Sequence, residues 1–159
     1  MRDLLLQLAR YNCWANRRYV ERLDTLAQGM LDVPAPGSFP SLRSTLLHIR
    51  DAENIWWCRI KGQDYQWPAS PSMETRSLLS CSDRLWELVE GATQLDLERI
   101  VEYHDLKGVV HGQPAWHMLL HCFNHSTQHR GQLITQLRAL GVTDIPSNDL
   151  VVFQRLRAH

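Results

Sequence analysis

Three histidines recur at every fourth position within a stretch that has the pattern of a long helix. The stretch runs from residue 114 to residue 140 and contains His121, His125 and His129. At about 3.6 residues per turn, side chains four positions apart lie on the same face of a helix. Neutral imidazole is a normal ligand of zinc and related divalent metals, so two such rings can supply two ligands to one ion. The spacing therefore predicts a metal site.

The remaining positions of this helix divide into polar and apolar faces. At about 100° per residue, Gln132 and Gln136 extend the histidine face, whereas Arg130 points elsewhere and is expected to make a structural ion pair. A solvated polar face is the simplest alternative to a metal site, and the pattern alone leaves it open. Gly131 favours a site, because glycine costs a helix about 1 kcal/mol relative to alanine and suggests close approach by a neighbouring helix or a ligand. The opposite side carries the apolar residues Trp116, Leu119, Phe123, Ile134 and Leu137.

Only two neighbouring rings of this helix can reach one ion. The three histidines span two turns, about 12 Å at about 1.5 Å per residue, while metal–nitrogen bonds measure about 2.0–2.1 Å. A third ligand must therefore come from another element. The pairs His121/His125 and His125/His129 have the same spacing, so spacing does not choose between them. Gly131 and Gln132, beside His129, favour the second pair because they permit close approach where the ion would lie.

Composition and charge argue against several classes of protein. The chain of 159 residues suits a single domain, residues 1–159, with a substantial core. Its 17 basic and 17 acidic residues give a formal net charge of zero, which argues against nucleic-acid binding. No apolar run approaches the ~18 residues of a membrane span, and no signal-peptide pattern is present. We expect a cytoplasmic protein with four reduced, mostly buried thiols: Cys13, Cys58, Cys81 and Cys122.

Apolar periodicity predicts four long helices joined by loops and a hairpin. Ser41 suits the N-cap and Gly62 the stop of the second helix. Residues 29–40 and 62–74 are rich in proline and glycine and are expected to form the longer connections. Residues 98–113 contain two short extended segments, Arg99–Tyr103 and Lys107–His111, around a turn. These features predict an all-α fold, a four-helix bundle with a short extended hairpin between helices 3 and 4. The expected helices cover residues 2–28, 42–61, 74–97 and 114–140.

The histidine helix contains a longer motif that points to a family. Residues 124–132 read Asn-His-Ser-Thr-Gln-His-Arg-Gly-Gln, and this run resembles the signature of the DinB/YfiT-like superfamily of small metal-binding four-helix proteins. The resemblance covers almost the whole chain, and the His-x3-His-Arg-Gly-Gln run is its most specific part. Further positions that resemble the family lie in the first two helices and near the end of the chain: residues 11–16, Leu47–Ile49, Glu53, Trp56, Arg59 and Asp149.

The resemblance implies a specific set of metal ligands. It assigns His125 and His129 to the metal and supplies the third ligand from His48. His121 then lies outside the ligand set, and it joins Gln132 as a candidate for contacting the ligands or the substrate. Zinc or nickel suits three imidazoles, iron is also chemically compatible, and the sequence does not choose between them. Three protein ligands leave a position open for water or substrate, which is the catalytic arrangement, although no residue is singled out as catalytic.

The resemblance also implies a function. Members of the superfamily include metal-dependent transferases and isomerases that use a low-molecular-weight thiol such as bacillithiol or mycothiol. By this resemblance we expect a metal-dependent enzyme, thiol transferase-like or hydrolase-like, that activates a thiol or water towards a small-molecule substrate. The alternative is a non-catalytic metal-binding module for stress response or sensing. The resemblance further suggests a homodimer, and the wide apolar stripe of helix 114–140 gives it a physical motive, since part of that stripe could pack on a second subunit.

Overall fold

Six α-helices and one β-hairpin make up the fold. The structure, a computed structural model, describes residues 1–157. No helix in this range is both long and apolar enough to cross a membrane. The elements in chain order are α1 (Arg2–Asp24), a 3-10 helix (Gln28–Asp32), α2 (Leu42–Lys61), α3 (Ser77–Gly91), α4 (Gln94–Glu98), β1 (Ile100–His104), β2 (Val110–Pro114), α5 (Ala115–Ala139) and α6 (Leu150–Leu156).

Helix α2 begins and ends where its local signals predict. The Ser41 side chain accepts a hydrogen bond from the backbone N–H of Ser44, whose hydroxyl in turn accepts from the backbone N–H of Ser41. This reciprocal capping box satisfies N–H groups that would otherwise lack partners. At the other end, Gly62 adopts a left-handed conformation with φ 64°, which glycine allows without steric cost. Both predicted ends of the second helix are therefore confirmed.

Two of the predicted helices are longer than the helices in the structure. The first ends at Asp24 rather than at residue 28, because the chain continues as the 3-10 helix. The third ends at Gly91 rather than at Leu97. There the backbone of Ala92 becomes extended, and Thr93 caps a separate short helix, α4, by accepting from the backbone N–H of Asp96. A new N-cap thus interrupts a continuous apolar pattern.

The predicted hairpin is present, with its second strand displaced along the chain. Strands β1 and β2 pair antiparallel, from Ile100 opposite Pro114 to His104 opposite Val110. The expected first strand is correct within one residue, whereas residues 107–109 belong to the turn. The carboxylate of Asp105 accepts from the backbone N–H groups of residues 107 and 109 and thereby closes that turn.

The four long helices pack as a bundle in which chain neighbours are not always spatial neighbours. Helices α1 and α2 each pack against α3 and α5, so α1 lies diagonally opposite α2. The connection that contains the 3-10 helix crosses the bundle from α1 to α2, and the connection that contains α4 and the hairpin crosses it from α3 to α5. Long connections are needed for such crossings. The predicted all-α four-helix bundle with a hairpin before its last long helix is confirmed.

Two large apolar clusters fill the bundle, and polar residues separate them, while a smaller third cluster packs α6 against α1. The first cluster includes Leu5, Ile60, Val89, Leu119 and Phe123. The second includes Tyr19, Leu46, Ile49, Leu78 and Leu133. Between these sets along each long helix lie buried polar positions, which we call the polar layer: Asn12, Asn16, Glu53, Ser82, Ser126 and Arg130.

The carboxylate of Glu53 lies fully buried in the polar layer. Its Oε1 accepts hydrogen bonds from Nδ2 of Asn12 at 2.7 Å and of Asn16 at 2.8 Å. The Ser126 hydroxyl also donates to Oε1 at 3.0 Å, and the Ser82 hydroxyl donates to Oε2 at 2.7 Å. Burial raises the pKa of Glu53, and these four donors oppose that shift. Because the donors come from α1, α3 and α5, Glu53 joins α2 to the three other long helices.

Arg130 is also fully buried, and it reaches Glu53 only through intermediaries. Its Nη1 donates to Oδ1 of Asn12 at 2.8 Å and of Asn16 at 2.7 Å, and its Nη2 donates to Oγ1 of Thr127 at 2.8 Å. No carboxylate in residues 1–157 lies within 4.0 Å of its guanidinium nitrogens. The predicted direct ion pair of Arg130 is therefore wrong, because two amide side chains stand between the buried charges.

Candidate metal centre

The imidazole rings of His48, His125 and His129 meet between α2 and α5. The Nε2 atom of His125 lies 3.1 Å from Nε2 of His48 and 3.1 Å from Nε2 of His129. One ring nitrogen from each residue lies within 4.8 Å of the others. Metal–nitrogen bonds of about 2.1 Å separate neighbouring ligand atoms by about 3.0–3.4 Å in octahedral or tetrahedral geometry. The three rings are therefore spaced to hold one divalent ion after a small adjustment.

Hydrogen bonds on both sides of the cluster fix how α2 lies against α5. One turn before the histidine of α2, Oγ1 of Thr45 donates to Oε1 of Gln136 at 2.8 Å. One turn beyond it, the Ser126 hydroxyl donates to Glu53 at 3.0 Å. All four residues are buried. Because these contacts bracket the rings, a shift of either helix along its axis would leave buried polar groups without partners.

Gln132 orients the ring of His129. Oε1 of Gln132 lies 3.0 Å from Nδ1 of His129, while Nε2 of the same amide donates to the Ser38 hydroxyl at 2.8 Å. With its amide nitrogen used for Ser38, Gln132 presents an acceptor to the ring. The proton of neutral His129 is then on Nδ1, and the lone pair of Nε2 faces the other two rings. This is the tautomer that metal binding through Nε2 requires.

The environment keeps two of the rings uncharged at neutral pH. Burial, followed by the nearby imidazole of His129, lowers the pKa of His48 to about 4. Burial and the neighbouring histidines His129, His48 and His121 lower the pKa of His125 to about 3. A protonated imidazole cannot bind a metal, so these shifts favour the ligand form.

The same pKa shifts predict how acid affects the metal-free protein. Histidine in the unfolded chain has a pKa near 6.5, so below that pH the unfolded state binds protons that the folded rings of His48 and His125 do not. The stability contributed by the neutral rings is present above about pH 6.5 and is lost as the pH falls towards 4. With a chelator present, we expect the urea midpoint to be lower at pH 5 than at pH 7.

A matched pair of variants checks this pH dependence. His125→Asn removes a shifted imidazole and should reduce the loss of stability on acidification. His117→Asn changes an exposed histidine of the same helix and should leave that loss unchanged. Equal loss in both variants and in the unmodified protein contradicts the expectation.

Aromatic side chains from two loops surround the cluster. Phe39 stacks on His48 with ring centroids 4.1 Å apart and lies 5.6 Å from the ring of His129. Trp67 lies edge-on to His48 at 5.9 Å and is 45% exposed. Trp67 thus lies at the mouth of the site. Phe39 was missed, because it lies in an irregular Pro-rich segment without periodicity.

Two charged residues of α2 hold the loop that carries Trp67. Nη1 of Arg50 donates to the carbonyl of Ser72 at 2.6 Å, and its Nη2 donates to the carbonyl of Ser70 at 3.1 Å. The carboxylate of Asp51 accepts from the backbone N–H of Ala69 at 3.0 Å. Asp51 is therefore committed to the loop and to Arg50, from which it accepts a further hydrogen bond at 2.8 Å.

His121 lies outside the cluster. Its ring centroid is 6.1 Å from that of His125, and it packs edge-on against Trp56 at 4.9 Å. The structure thus brings His48 to His125 and His129, and not to His121. The close approach of a neighbouring helix that Gly131 suggested is absent, because a Cβ at Gly131 would meet nothing within 4 Å. Gly131 faces open space, so no neighbouring helix requires its small size.

Comparisons with known proteins agree with the fold and with the motif. The family model described as the DinB family matches residues 1–155. A relative named Protein DinB, from Bacillus subtilis strain 168, is 24% identical over 161 residues, covering 93% of this chain and 92% of the relative. A crystal structure of a DinB-like protein from Bacillus subtilis (YjoA) matches with a TM-score of 0.70 and 17% identity, covering 90% of this chain and 98% of that one. Another, from Bacillus cereus ATCC 10987, matches with a TM-score of 0.61 and 21% identity over 84% and 89% of the two chains.

Proposed function

Because the chain belongs to the DinB family, we propose that it binds a divalent metal ion through His48, His125 and His129 and uses it as an enzyme. The observation that carries the proposal is the convergence of three imidazoles on one point. Lone pairs directed at a common point repel one another, and a cation between them removes that repulsion. Zinc and nickel both suit this all-nitrogen set.

The surroundings of the three rings favour catalysis over a purely structural site. Three ligands leave at least one position open, whereas structural zinc sites have four protein ligands. Phe39 and Trp67 line the approach and give it an apolar wall that can exclude water. A metal held there would lower the pKa of a thiol or water placed in the open position. We propose that a low-molecular-weight thiol is the activated group, with water as the second candidate.

The thiol must come from outside the protein, because the chain's own cysteines are unsuited to the role. All four are buried and free: Cys13, Cys58, Cys81 and Cys122. Burial raises the pKa of each thiol above its usual value. A buried thiol with a raised pKa is a poor nucleophile.

The experiment is thiol conjugation to monobromobimane, followed by fluorescence. In this reaction a sulfur–carbon bond forms, the carbon–bromine bond breaks, bromide leaves and the thiol proton passes to the buffer. Cysteine, bacillithiol and mycothiol are tested with zinc-loaded, nickel-loaded and chelated protein. We expect at least one thiol and metal to give about a tenfold or larger rate increase over chelated protein.

The His125→Ala variant is the control for metal dependence. It should react at the rate of the chelated protein with either metal. If loaded and chelated protein react equally with every thiol, the S-transferase proposal is overturned. Metal binding without turnover would then identify a metal-binding module for stress response or sensing.

Gln132 offers a test of the ligand geometry. Gln132→Leu removes the acceptor that orients His129, and we expect metal affinity to fall by about 10- to 100-fold. The measurement is zinc competition against a chromogenic chelator. Gln128→Leu is the matched control, since Gln128 is an exposed residue of the same helix. Unchanged affinity in Gln132→Leu contradicts the proposed role.

We also propose that the protein is a homodimer, but the support differs from the apolar stripe that motivated this expectation in the sequence. The apolar stripe of α5 packs mainly inside the subunit, with Leu119 and Leu137 fully buried, so it provides no motive for dimerisation. Support comes instead from the outer face of the hairpin, where Ile100 is 61% and Val110 58% exposed. The two side chains lie on the same face at opposite ends of the paired strands, and exposed apolar side chains spread over one face favour an interface.

Light scattering at micromolar concentration tests the dimer. We expect the mass of two chains for the unmodified protein and of one chain for Val110→Asp. Leu156→Asp changes an exposed leucine far along the chain, in α6, and should remain dimeric. A monomeric unmodified protein removes the proposal.

A further inference from the structure

An open groove with a volume of about 790 Å³ lies on α5 one turn before the candidate metal centre. Helix α2, both strands of the hairpin and the first half of α5 form its walls. We call it the aromatic groove, because three half-buried aromatic side chains, Trp56, Tyr103 and Trp116, supply most of its apolar surface. The remaining lining residues are Gln113, His117, Leu120, His121 and Asn124.

The aromatic groove and the candidate metal centre share a border. His121 lines the groove, and its ring lies 6.1 Å from that of His125. Asn124, next to His125 in the chain, lines the same end. A molecule in the groove would therefore lie close to His125, one of the three residues that would hold the metal proposed above.

The lining residues and the guanidinium of Arg59 favour an anion in the groove, while the acidic Asp64 and Glu102 line a separate cavity with Arg59. None of the residues that line the groove is acidic. The guanidinium of Arg59 lies 4.7 Å from the ring centroids of both Trp56 and Tyr103. Arg59 is buried, and no carboxylate of residues 1–157 pairs with it within 4.0 Å. Partial burial, followed by the positive charge of Arg59, lowers the pKa of His121 below its usual value.

We propose that the aromatic groove binds a flat aromatic molecule that carries a negative charge. Trp56, Tyr103 and Trp116 provide surfaces for its rings, the field of Arg59 favours its charge, and His121 and Asn124 offer hydrogen bonds. That this molecule is the substrate of the metal centre rests on the proposed function, whereas its binding to the groove does not. The binding test is therefore made on metal-free protein.

The test uses the fluorescent anion 8-anilino-1-naphthalenesulfonate, titrated into chelated protein. We expect saturable binding at one site per chain. Displacement of the probe should require less 2-naphthoate than 1-naphthylmethylammonium. The two competitors have similar size, but the first is an anion, which the groove should prefer, and the second is a cation. Equal displacement by both overturns the charge argument, and absence of saturable binding overturns the proposal.

Variants locate the bound probe. Leu120→Asp places a negative charge in the groove and should weaken binding about tenfold or more. Trp116→Ala should also weaken it, by removal of a ring surface. Leu95→Asp is the control for Leu120→Asp, because it makes the same substitution at a leucine outside the groove that is 79% exposed. This control should bind the probe as the unmodified protein does. If Leu95→Asp loses binding while Leu120→Asp and Trp116→Ala retain it, the proposal is overturned.

Probe binding that does not depend on the metal distinguishes the groove proposal from the proposed enzymatic function. His125→Ala should bind the probe with unchanged affinity, since His125 does not line the groove. If conjugation of thiols fails but the probe binds with these specificities, the groove proposal stands and the enzyme proposal falls. If conjugation succeeds and Leu120→Asp retains full affinity for the probe, the groove proposal falls and the enzyme proposal stands.

Discussion

His125→Ala is expected to lose nearly all bound metal, from about one equivalent per chain to below about a tenth. His125 is the central ring of the cluster, because its Nε2 is the atom that both His48 and His129 approach to 3.1 Å. Its removal leaves two rings that have no direct contact of this length with one another. His48→Ala and His129→Ala should each lose most of the metal as well. The measurement is metal content by inductively coupled plasma mass spectrometry after dialysis against buffer with micromolar zinc or nickel.

His121→Ala is the matched control for this loss. It changes a histidine one turn from His125 on the same helix, whose ring packs against Trp56 instead, and we expect its metal content to remain at about one equivalent. Circular dichroism of each variant shows whether the helices are retained. An empty site in His121→Ala with a filled site in His129→Ala would place the metal one turn earlier. Unchanged content in all four variants would mean that the histidine face of α5 serves only to contact solvent.

Arg130→Met is expected to lower the free energy of unfolding by about 3 kcal/mol or more. The substitution keeps an unbranched side chain of similar length but removes the donors to Asn12 and Asn16. Their amide oxygens then remain buried without partners, and the charge of Glu53 remains buried without a compensating cation. Removal of one member of a buried charged network typically costs about 3–5 kcal/mol. Urea denaturation monitored by circular dichroism measures the change.

Arg138→Met provides the comparison for Arg130→Met. Arg138 is exposed near the end of the same helix, so the same change in chemistry should alter the free energy of unfolding by no more than about 0.5 kcal/mol. Adding Glu53→Gln to Arg130→Met should cost less than the sum of the two single changes, because both act on one network. A cost below about 1 kcal/mol for Arg130→Met, or strict additivity with Glu53→Gln, contradicts this account.

The sequence predicted those features of the fold that are formed by residues close together in the chain. The ends of α2 follow from Ser41 and Gly62, because a cap is formed by residues within a few positions of each other. Helical periodicity predicted that α5 offers two adjacent histidines to one ion, whereas the choice of His125 and His129 came from the resemblance to a family. The break after Gly91 was missed, since the apolar pattern continues across it and only the cap formed by Thr93 reveals it.

Contacts between distant segments were less accessible from the sequence. His48 was placed beside the α5 histidines by resemblance to a family, because a single helical histidine carries no spacing of its own. Phe39 and Ser38 reach the candidate site from an irregular loop, and no periodic pattern identifies them. Gly131 was misinterpreted, because a glycine within a helix indicates close packing only where a neighbour is present, and here none is. No packing contact at Gly131 offsets the loss of about 1 kcal/mol in helix stability that glycine causes relative to alanine.

The polar layer also determines how the chain can fold. Its hydrogen bonds join residues as far apart as Asn12 and Arg130, which are 118 positions apart in sequence, and Glu53 takes its donors from three different helices. A folding intermediate with only two or three docked helices would bury these charges without their partners, so partly assembled bundles are disfavoured. The slowest-exchanging amides of α1, α2, α3 and α5 should therefore report one common opening free energy, that of the whole domain. A fragment that ends before α5 lacks Ser126 and Arg130, and it should have no stable native state.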